Sequence, residues 1–412
     1  MWAHALARCL VALLAWSSAF SPCEAVVQLR KLSSVYLPYN YEPDPEAGPA
    51  AEYTLSADAA VKSAYDRRHA TVYTVGSKFI HVVDFTEPSK PRVLHYQQLA
   101  NPGNDVDVCG NLVAVALDDN PGELVMYRLY DRQNRYLRSL RSLTLGSELS
   151  MVKFTSDCRT LLVVNEGRPE SVGNEGSVII LDLDPGGALV DRVDLGFTSF
   201  NERADEYVRR GVRWPTQRFT DLPNNTLSRS LEPEHVTLNE QETKAYISLQ
   251  ENNAIAVVDL KTKVIEDLYP LGYKSWQGLS LDASDMDSGI NFGSYDIYSL
   301  YQPDSIEYME VDGTGYLVTA NEGDDESFDV QRGIDFEEDQ LSDSVSEELR
   351  TALANVSMLG RLEFSTVDGR SASEPDKFDR LVFFGSRGFS VFRADDMSLV
   401  YDSGDEFERR HA

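Results

Sequence analysis

The feature that most constrains this fold is a unit that recurs along the chain: an apolar strand, a turn, and a second apolar strand that often ends in Asp. Its shortest copy is TVYTVGSKFIHVVDF at residues 71–85. Longer copies lie at residues 111–129, 159–183, 244–260 and 380–404. Such a unit cannot bury its apolar face alone, so the copies must pack against one another.

Several copies are preceded by a further strand, at residues 152–159, 234–244 and 304–315. Units of three or four short strands, rich in Val, Ile, Tyr and Phe and separated by Asx and Gly turns, predict an all-β fold of the β-propeller type. A pair of β-sandwiches is the alternative, although the repeated unit favours the propeller. Short helical insertions are expected at residues 201–212 and 343–359, where Leu349, Leu353 and Val356 share one helix face.

The N-terminus has the pattern of an export signal. Arg8 is followed by an apolar run at residues 9–20, and Cys23 to Ala25 offer small residues for cleavage. The run is too short to cross a bilayer comfortably, and no later stretch approaches the required length of roughly 18 residues. We therefore predict a signal peptide at residues 1–25 and one secreted propeller domain at residues 26–412.

If the chain is exported, its cysteines can form a disulfide and its two glycosylation motifs can be modified. Cleavage leaves Cys109 and Cys158, which can pair in an oxidising compartment or remain as two buried thiols. Asn224 and Asn355 each begin an Asn-X-Ser/Thr sequon and are predicted to carry N-linked glycans.

The chain is strongly acidic, with 67 Asp and Glu against 38 Lys and Arg and a formal net charge of −29. This charge repels nucleic acids and anionic membranes, and it attracts cations and basic partners. Solubility alone also explains an acidic extracellular surface. We expect divalent cations as partners and no nucleic acid.

Acidic turns follow the apolar strands at several places, twice as Asn-Glu-Gly. If these turns open on one rim of a propeller, their carboxylates supply the hard oxygen ligands that calcium prefers. Turn formation alone also explains Asn and Gly at these positions. The candidate ligands are Asp118, Asp119, Glu166, Glu251, Glu322, Asp324 and Asp325.

A second candidate calcium site is the run DASDMDSG at residues 282–289, with Asp282, Asp285 and Asp287 as ligands. It is not an EF-hand, because in a loop that starts with Asp285 as its first position the sixth is Ile290 rather than Gly and the twelfth is Asp296 rather than Glu. The acidic run at residues 335–343 is expected to be solvated surface or a weak binding site for calcium or mineral.

The sequence offers little for catalysis. The histidines beyond the signal lack zinc-type spacing, and no nucleophile elbow, phosphate-binding loop or dinucleotide motif is present. His81 and His235 lie in apolar strand contexts and are expected to be structural. No catalytic residue is predicted.

Several runs together resemble a known family: residues 249–260, 278–291, 301–306, 317–326 and 400–408. They are similar to the choice-of-anchor I domain, whose animal members include the mesenchyme-specific cell-surface glycoproteins of biomineralising invertebrates. The resemblance covers nearly the whole chain after the signal. It implies a secreted or surface-anchored propeller of about seven blades, related to YVTN-type repeats. The family pattern usually continues past residues 402–405 into at least one more blade, so either the propeller is incomplete at the C-terminus here or an N-terminal strand from residues 29–41 helps to close the ring.

The resemblance also implies a link to calcium handling, biomineralisation or the extracellular matrix. The predicted function is that of a non-enzymatic, calcium-binding glycoprotein, with mineral or matrix proteins as partners. One alternative is a metal-dependent phosphatase or phytase-like hydrolase, in which Glu166 and Glu322 hold bridged metals and Arg168 or Arg387 binds the phosphate. The other is a protein-interaction scaffold that needs no metal.

Overall fold

The computed structural model describes residues 30–42, 50–55, 57–167, 175–218, 225–325 and 328–411. It divides into two compact units, one ending at Gly196 and the other beginning at Phe197. The predicted signal peptide, Arg168 and Asn224 lie outside the described residues.

The N-terminal unit is built from short strands. They are β1 Asn40–Glu42, β2 Ala50–Glu52, β3 Lys62–Asp66, β4 Thr71–Val75, β5 Phe79–Asp84, β6 Arg92–Gln98, β7 Gly103–Cys109, β8 Leu112–Leu117, β9 Glu123–Arg128, β10 Ser139–Thr144, β11 Leu149–Phe154, β12 Thr160–Asn165, β13 Ser177–Leu183 and β14 Leu189–Gly196. Apart from the β1–β2 hairpin, they form three sheets of four antiparallel strands in sequence order, which is the connectivity of a propeller blade.

The three sheets pack face to face, with β7 in contact with both β3 and β11. Strand β8 shows how. Val113 and Val115 lie in one core cluster with Tyr73 of the preceding sheet, whereas Ala114 and Ala116 lie in a second cluster with residues of the following sheet. Because side chains alternate between the two faces of a strand, both faces of β8 are buried. This explains why β8, with the sequence LVAVAL, is apolar at every position.

The C-terminal unit contains the remaining strands and the helices. The strands are β15 Pro233–Leu238, β16 Lys244–Leu249, β17 Ala254–Asp259, β18 Val264–Pro270, β19 Tyr273–Ser275, β20 Tyr298–Leu300, β21 Pro303–Val311, β22 Thr314–Asn321, β23 Val330–Arg332, β24 Glu363–Ser365, β25 Val382–Phe383, β26 Gly388–Arg393 and β27 Leu399–Asp402. The α-helices are α1 Ala204–Arg210, α2 Glu347–Leu353 and α3 Glu406–His411. Short 3-10 helices lie at Thr198–Arg203, Pro215–Arg218, Leu227–Ser230, Gly333–Asp335 and Glu338–Gln340.

Two sheets of this unit are four-stranded blades, β15-β16-β17-β18 and β21-β22-β26-β27, and β21 packs against β15 and β16. A third sheet has five strands in the order β19-β20-β25-β24-β23, in which β20 and β25 run parallel. The blade-like sheets confirm the predicted all-β propeller class with short helical insertions.

The structure corrects two details. Residues 380–404 were expected to form one unit, but β25 belongs to the five-stranded sheet, while β26 pairs with β22 across a long insertion. The helix expected at residues 343–359 is shorter, because α2 ends at Leu353 and Val356 lies beyond it, exposed.

Candidate functional site

The predicted acidic turns occupy the same place in each blade, the connection between its second and third strands. Asp118 and Asp119 follow β8, Glu166 follows β12, Glu251 follows β16, and Glu322, Asp324 and Asp325 follow β22. The expected equivalence of the two Asn-Glu-Gly runs is therefore correct at the level of topology.

The Asn of each Asn-Glu-Gly run is a buried structural residue. The side-chain amide of Asn165 donates to Ser177 Oγ at the start of β13, at 3.1 Å. The amide of Asn321 donates to Ser390 Oγ on β26, at 2.8 Å. Each Asn therefore ties the end of the second strand to the third strand of its blade.

The backbone conformation explains why the second run has Gly at position 323. Gly323 has a φ of 95°, a conformation that side chains with a Cβ rarely adopt. A Cβ at this position would also collide with the backbone of Gly385, which itself has a φ of 69°. This close approach brings together the two ends of the insertion between β22 and β26.

The carboxylates of these turns have individual environments. Asp119 accepts a hydrogen bond from the Asn101 amide at 2.7 Å. Burial raises the pKa of Asp324 and of Asp325, and the charge of Glu363 raises that of Asp325 further. Among the described residues, no group of three or more His, Cys, Asp or Glu side chains is placed to hold a metal ion.

The second candidate, around Asp282, lies in a closed loop of the C-terminal unit. Two backbone hydrogen bonds of 2.9 Å between Leu281 and Gly293 close its neck. Inside the loop, Asn291 donates from its backbone to Asp282 Oδ1 and from its side chain to the Asp287 carbonyl oxygen, both at 3.4 Å. We call residues 282–292 the acidic loop.

The three Asp residues of the acidic loop have different environments. Asp285 is exposed and forms a bidentate pair with Arg361, at 2.8 and 2.9 Å. Asp287, by contrast, has both carboxylate oxygens buried and without a hydrogen-bond partner. Burial raises the pKa of Tyr295, and the charges of Asp287 and Asp282 raise it further.

A polar cavity of about 380 Å³ lies beside the acidic loop. It is lined by four acidic residues and two arginines, together with apolar side chains that include Phe384. The charged lining residues are Asp282, Asp285, Asp325, Glu363, Arg361 and Arg387. The structure therefore brings together three predicted metal ligands and one predicted anion-binding residue. Arg387, however, is paired with Glu408 at 3.0 Å.

Sequence reasoning missed a buried charge network nearby in the same unit. Arg213 is almost fully buried between Asp329 and Asp368, and its Nη1 donates to the Glu251 carbonyl oxygen at 3.0 Å. The hydroxyl of Tyr273 donates to Asp368 at 3.0 Å. A single Arg between apolar residues carries no sequence signal of such a network, because its carboxylate partners are 116 and 155 residues away.

A match over most of the chain assigns the protein to a family. A profile of the choice-of-anchor I domain matches residues 61–412. The chain belongs to the choice-of-anchor I family. The match includes every described blade as well as the acidic loop, as the resemblance implied.

Two curated proteins are similar to this choice-of-anchor I chain. The mesenchyme-specific cell surface glycoprotein of Strongylocentrotus purpuratus is 26% identical over an alignment that covers 87% of this chain and 70% of that protein. Gigasin-3a of Magallana gigas is 46% identical over 55 residues, which is 13% of this chain and 19% of gigasin-3a.

Solved structures resemble the chain only distantly. A component of the COPII outer coat vertex on membranes has a TM-score of 0.38 and 17% identity, with 64% of this chain and 59% of that chain covered. A putative 6-phosphogluconolactonase from Bacteroides uniformis has a TM-score of 0.37 and 10% identity, with 55% and 62% covered. These scores are too low to carry an argument about function.

The run DSGD at residues 402–405 lies around a buried lysine, Lys274. Lys274 Nζ donates to the carbonyl oxygens of Ser386 and Gly404, at 2.8 and 2.7 Å. It also lies 3.3 Å from Asp402, and Asp405 accepts the backbone N–H of Ser280 at 2.9 Å. The run is therefore structural.

The modification sites and histidines can be placed individually. Cys109 and Cys158 form a disulfide with a Cα–Cα distance of 5.4 Å. Asn355 is exposed, and its side-chain oxygen accepts the backbone N–H of Ser357 at 2.9 Å. His81 is fully buried, and burial lowers its pKa to about 4. No helix among the described residues is both long enough and apolar enough to span a bilayer.

Proposed function

We propose that this choice-of-anchor I protein is an exported, non-enzymatic binding protein of the cell surface or extracellular matrix, and that its acidic loop binds calcium. The disulfide and the export-signal pattern support an extracellular location. The name of the sea urchin relative, a cell surface glycoprotein, supports the same location.

The observation that carries the calcium proposal is the carboxylate of Asp287. Both of its oxygens are buried and lack a hydrogen-bond partner. A buried charge without a partner is costly, and in proteins such groups are normally paired or bound to a metal. A cation in the acidic loop would remove this cost.

The ligands near Asp287 suit calcium better than a transition metal, because they are all oxygens. Asp282 and Asp287 supply carboxylates, and the Asp287 carbonyl and the Asn291 side chain lie beside them. Calcium takes six to eight oxygen ligands, so water or a partner would fill the remaining positions. With only two carboxylates, the site should bind weakly, with a Kd of about 0.1–1 mM, as in extracellular calcium modules.

Thermal unfolding with calcium and with chelator tests the proposal. At a free calcium concentration about tenfold above Kd, a single site stabilises the folded protein by about 1.4 kcal/mol. Asp287→Asn should abolish this gain. Asp285→Asn is the matched control, because Asp285 lies in the same loop but is paired with Arg361. Equal calcium stabilisation of wild type and Asp287→Asn would refute the site.

In chelator, Asp287→Asn should have the opposite effect on the stability of the protein. Without calcium, Asp287→Asn removes a buried charge that has no partner, so it should leave the stability unchanged or increase it. A marked loss of stability in chelator would mean that the carboxylate has a structural role in the protein alone.

Mineral and matrix proteins remain the proposed partners, with the acidic residues 335–343 as a further weak contact for calcium or mineral. A bridged two-metal phosphatase centre would need more clustered carboxylates than any group in the described residues provides. A protein that shows no calcium stabilisation but captures a matrix protein would favour the metal-free scaffold instead.

A further inference from the structure

The first residues of the N-terminal unit cover one face of its first four-stranded sheet. We call residues 30–42, 50–55 and 57–60, which include the β1–β2 hairpin, the strap. One face of the sheet β3-β4-β5-β6 packs against the following sheet. The opposite face, which carries the cross-strand pair Thr74 and His81, lies under the strap.

Tyr41 anchors the strap to the sheet. Its ring stacks on that of Tyr96 on β6, with a centroid distance of 3.5 Å and an angle of 5° between the planes. It also meets the ring of Phe79 on β5 edge-on, at 5.3 Å. A cavity of about 450 Å³, lined by residues of both, lies between other parts of the strap and the sheet, and Leu55 of the strap is 98% exposed. Because the packing there is open, the attachment of the β1–β2 hairpin depends strongly on the contacts of Tyr41.

His81 lies beneath this anchor. Its ring is 6.1 Å from that of Tyr41 and 5.9 Å from that of Phe79, measured between centroids. The side chain is fully buried, and neither ring nitrogen has a hydrogen-bond partner among the described residues. A buried charge without a partner is costly, so this position suits only the neutral imidazole.

The residues paired with His81 are uncharged. Across the sheet it is paired with Thr74 on β4 and Tyr96 on β6. Thr74 in turn is hydrogen-bonded to Ser63 on β3, at 2.9 Å. The phenols of Tyr41 and Tyr96 stay neutral at acidic pH, because tyrosine ionises only near pH 10. A proton on the closed-in imidazole would therefore create a charge that none of these groups offsets.

Charged groups lie near the same end of the strap. Lys78 Nζ, on the turn before β5, is 5.2 Å from the centroid of the Tyr39 ring. It disfavours a second positive charge nearby. The hairpin carries the carboxylates of Glu42 and Glu52. Carboxylates also titrate at acidic pH, so a test must separate their effect from that of His81.

We propose that the strap is a pH-sensitive cover, which is closed while His81 is neutral and opens when His81 takes up a proton. Opening separates Tyr41 from Tyr96 and gives the imidazole access to water. It also exposes the apolar side chains of Val72 and Val83 on the covered face of the sheet. This inference does not depend on the proposed calcium site.

The sign and size of the effect follow from proton binding. In the closed state, burial lowers the pKa of His81 from 6.5 to about 4. In the open state the ring is hydrated and regains its ordinary pKa. The open state then binds a proton that the closed state lacks, so the equilibrium constant for opening rises about tenfold for each pH unit between roughly 6 and 4.5. From pH 7.5 to 4.5 we expect a rise of roughly 20- to 70-fold.

Hydrogen exchange of the Tyr39 backbone amide, corrected for the intrinsic rate at each pH, measures opening from pH 7.5 to 4.5. This amide donates to the Glu52 carbonyl oxygen beside the hairpin, at 3.0 Å. An isolated two-stranded hairpin is only marginally stable, so the amide exchanges once the strap leaves the sheet. The amide of Tyr73, on the inner strand β4, reports on the sheet itself.

Two variants remove the titrating group, His81→Phe and His81→Gln, and if one fails to fold the other decides. His95→Phe is the matched control. Burial lowers the pKa of His95 as well, but its ring stacks on Tyr130 at 5.3 Å and is paired across the strands with Val82 on the other face. Wild type and His95→Phe should show the full rise in opening, whereas the His81 variants should change by less than about threefold.

Three results would overturn the inference. An equal rise in wild type and in the folded His81 variants would assign the pH dependence to the carboxylates. Unchanged protection of the Tyr39 amide in wild type would show that the strap does not respond to pH. Parallel loss of protection at Tyr39 and Tyr73 would mean that the whole sheet opens rather than the strap.

Discussion

Asp105 should make the N-terminal unit less stable as pH rises from about 4 to 7. It lies on β7, is only 7% exposed, and accepts the backbone N–H of Val152 on β11 at 2.8 Å. Burial raises its pKa from 3.8 to about 7; the nearby charge of Asp107 adds to this effect, and that of Lys62 opposes it. The hydrogen bond from β11 is therefore made to a carboxyl that resists ionisation.

The direction of the pH dependence follows from proton binding. Between pH 4 and 7 the folded protein retains a proton on Asp105 that the unfolded chain has lost. The free energy of unfolding therefore falls as pH rises across this window. A difference of about 3 between the folded and unfolded pKa values corresponds to about 4 kcal/mol.

Asp105→Asn should remove this dependence. The amide oxygen can still accept from Val152, although a neutral hydrogen bond is about 1 kcal/mol weaker than a charged one. The variant should therefore be more stable than wild type by about 2–3 kcal/mol at pH 8, and indistinguishable or slightly less stable at pH 4.

Calorimetry from pH 4 to 8 measures this change in stability, and hydrogen exchange of the Val152 amide assigns it to the N-terminal unit. Asp131→Asn is the control, since Asp131 is only partly buried and hydrogen bonds from Asn134 and the backbone N–H of Gln133 lower its pKa. That variant should gain no stability at pH 8. If Asp105→Asn is no more stable than wild type at pH 8, the claim that the buried Asp105 carboxylate destabilises the folded protein is refuted.

Three further predictions concern the framework. Gly323→Ala should lower the free energy of unfolding, measured in urea, by at least about 3 kcal/mol, because the new Cβ collides with the backbone of Gly385 at a residue that already has a positive φ. Gly313→Ala is the control: Gly313 has a φ of 77° but open space around it, so the loss should be only about 1 kcal/mol. A similar cost for both would disprove the collision. Lys274→Met should cost about 3–5 kcal/mol, since it breaks a buried ion pair; a neutral result would contradict the anchoring role. Reducing the Cys109–Cys158 disulfide, which closes a 49-residue separation, should cost about 4 kcal/mol by calorimetry, and an unchanged transition would refute this.

Much of the fold is predictable because a propeller blade is a local structure. Each hairpin joins strands that are close in sequence, so apolar runs and Asx or Gly turns are enough to locate β8 with β9 or β16 with β17. The pairing of β22 with β26 is not predictable in this way. Its partners are separated by an insertion that contains its own strands, and nothing local indicates that β25 joins a different sheet.

The calcium site at residues 282–289 stays a prediction, and the sequence does not distinguish its Asp residues from one another. The run of Asp residues at 282–287 indicated a loop with calcium chemistry, but sequence treated its members as equivalent. The structure separates them, since Asp285 pairs with Arg361, whereas both carboxylate oxygens of Asp287 are buried and without a hydrogen-bond partner. Arg361 lies 76 residues away in the chain, so this difference depends on the tertiary fold.

The Asn-Glu-Gly runs show the opposite case. Sequence allowed either turn chemistry or a shared metal site, and the side-chain contacts of Asn165 and Asn321 give these runs a structural role. The contacts depend on Ser residues at the start of the third strand, which a single sequence does not identify as partners.

The central claim, a calcium site in the acidic loop, is tested most directly by isothermal titration calorimetry of calcium into the chelator-treated protein. We predict one site with a Kd of about 0.1–1 mM, present in wild type and in Asp285→Asn and absent in Asp287→Asn. Calcium binding that is unchanged in Asp287→Asn, or no binding by wild type at millimolar calcium, would contradict the account.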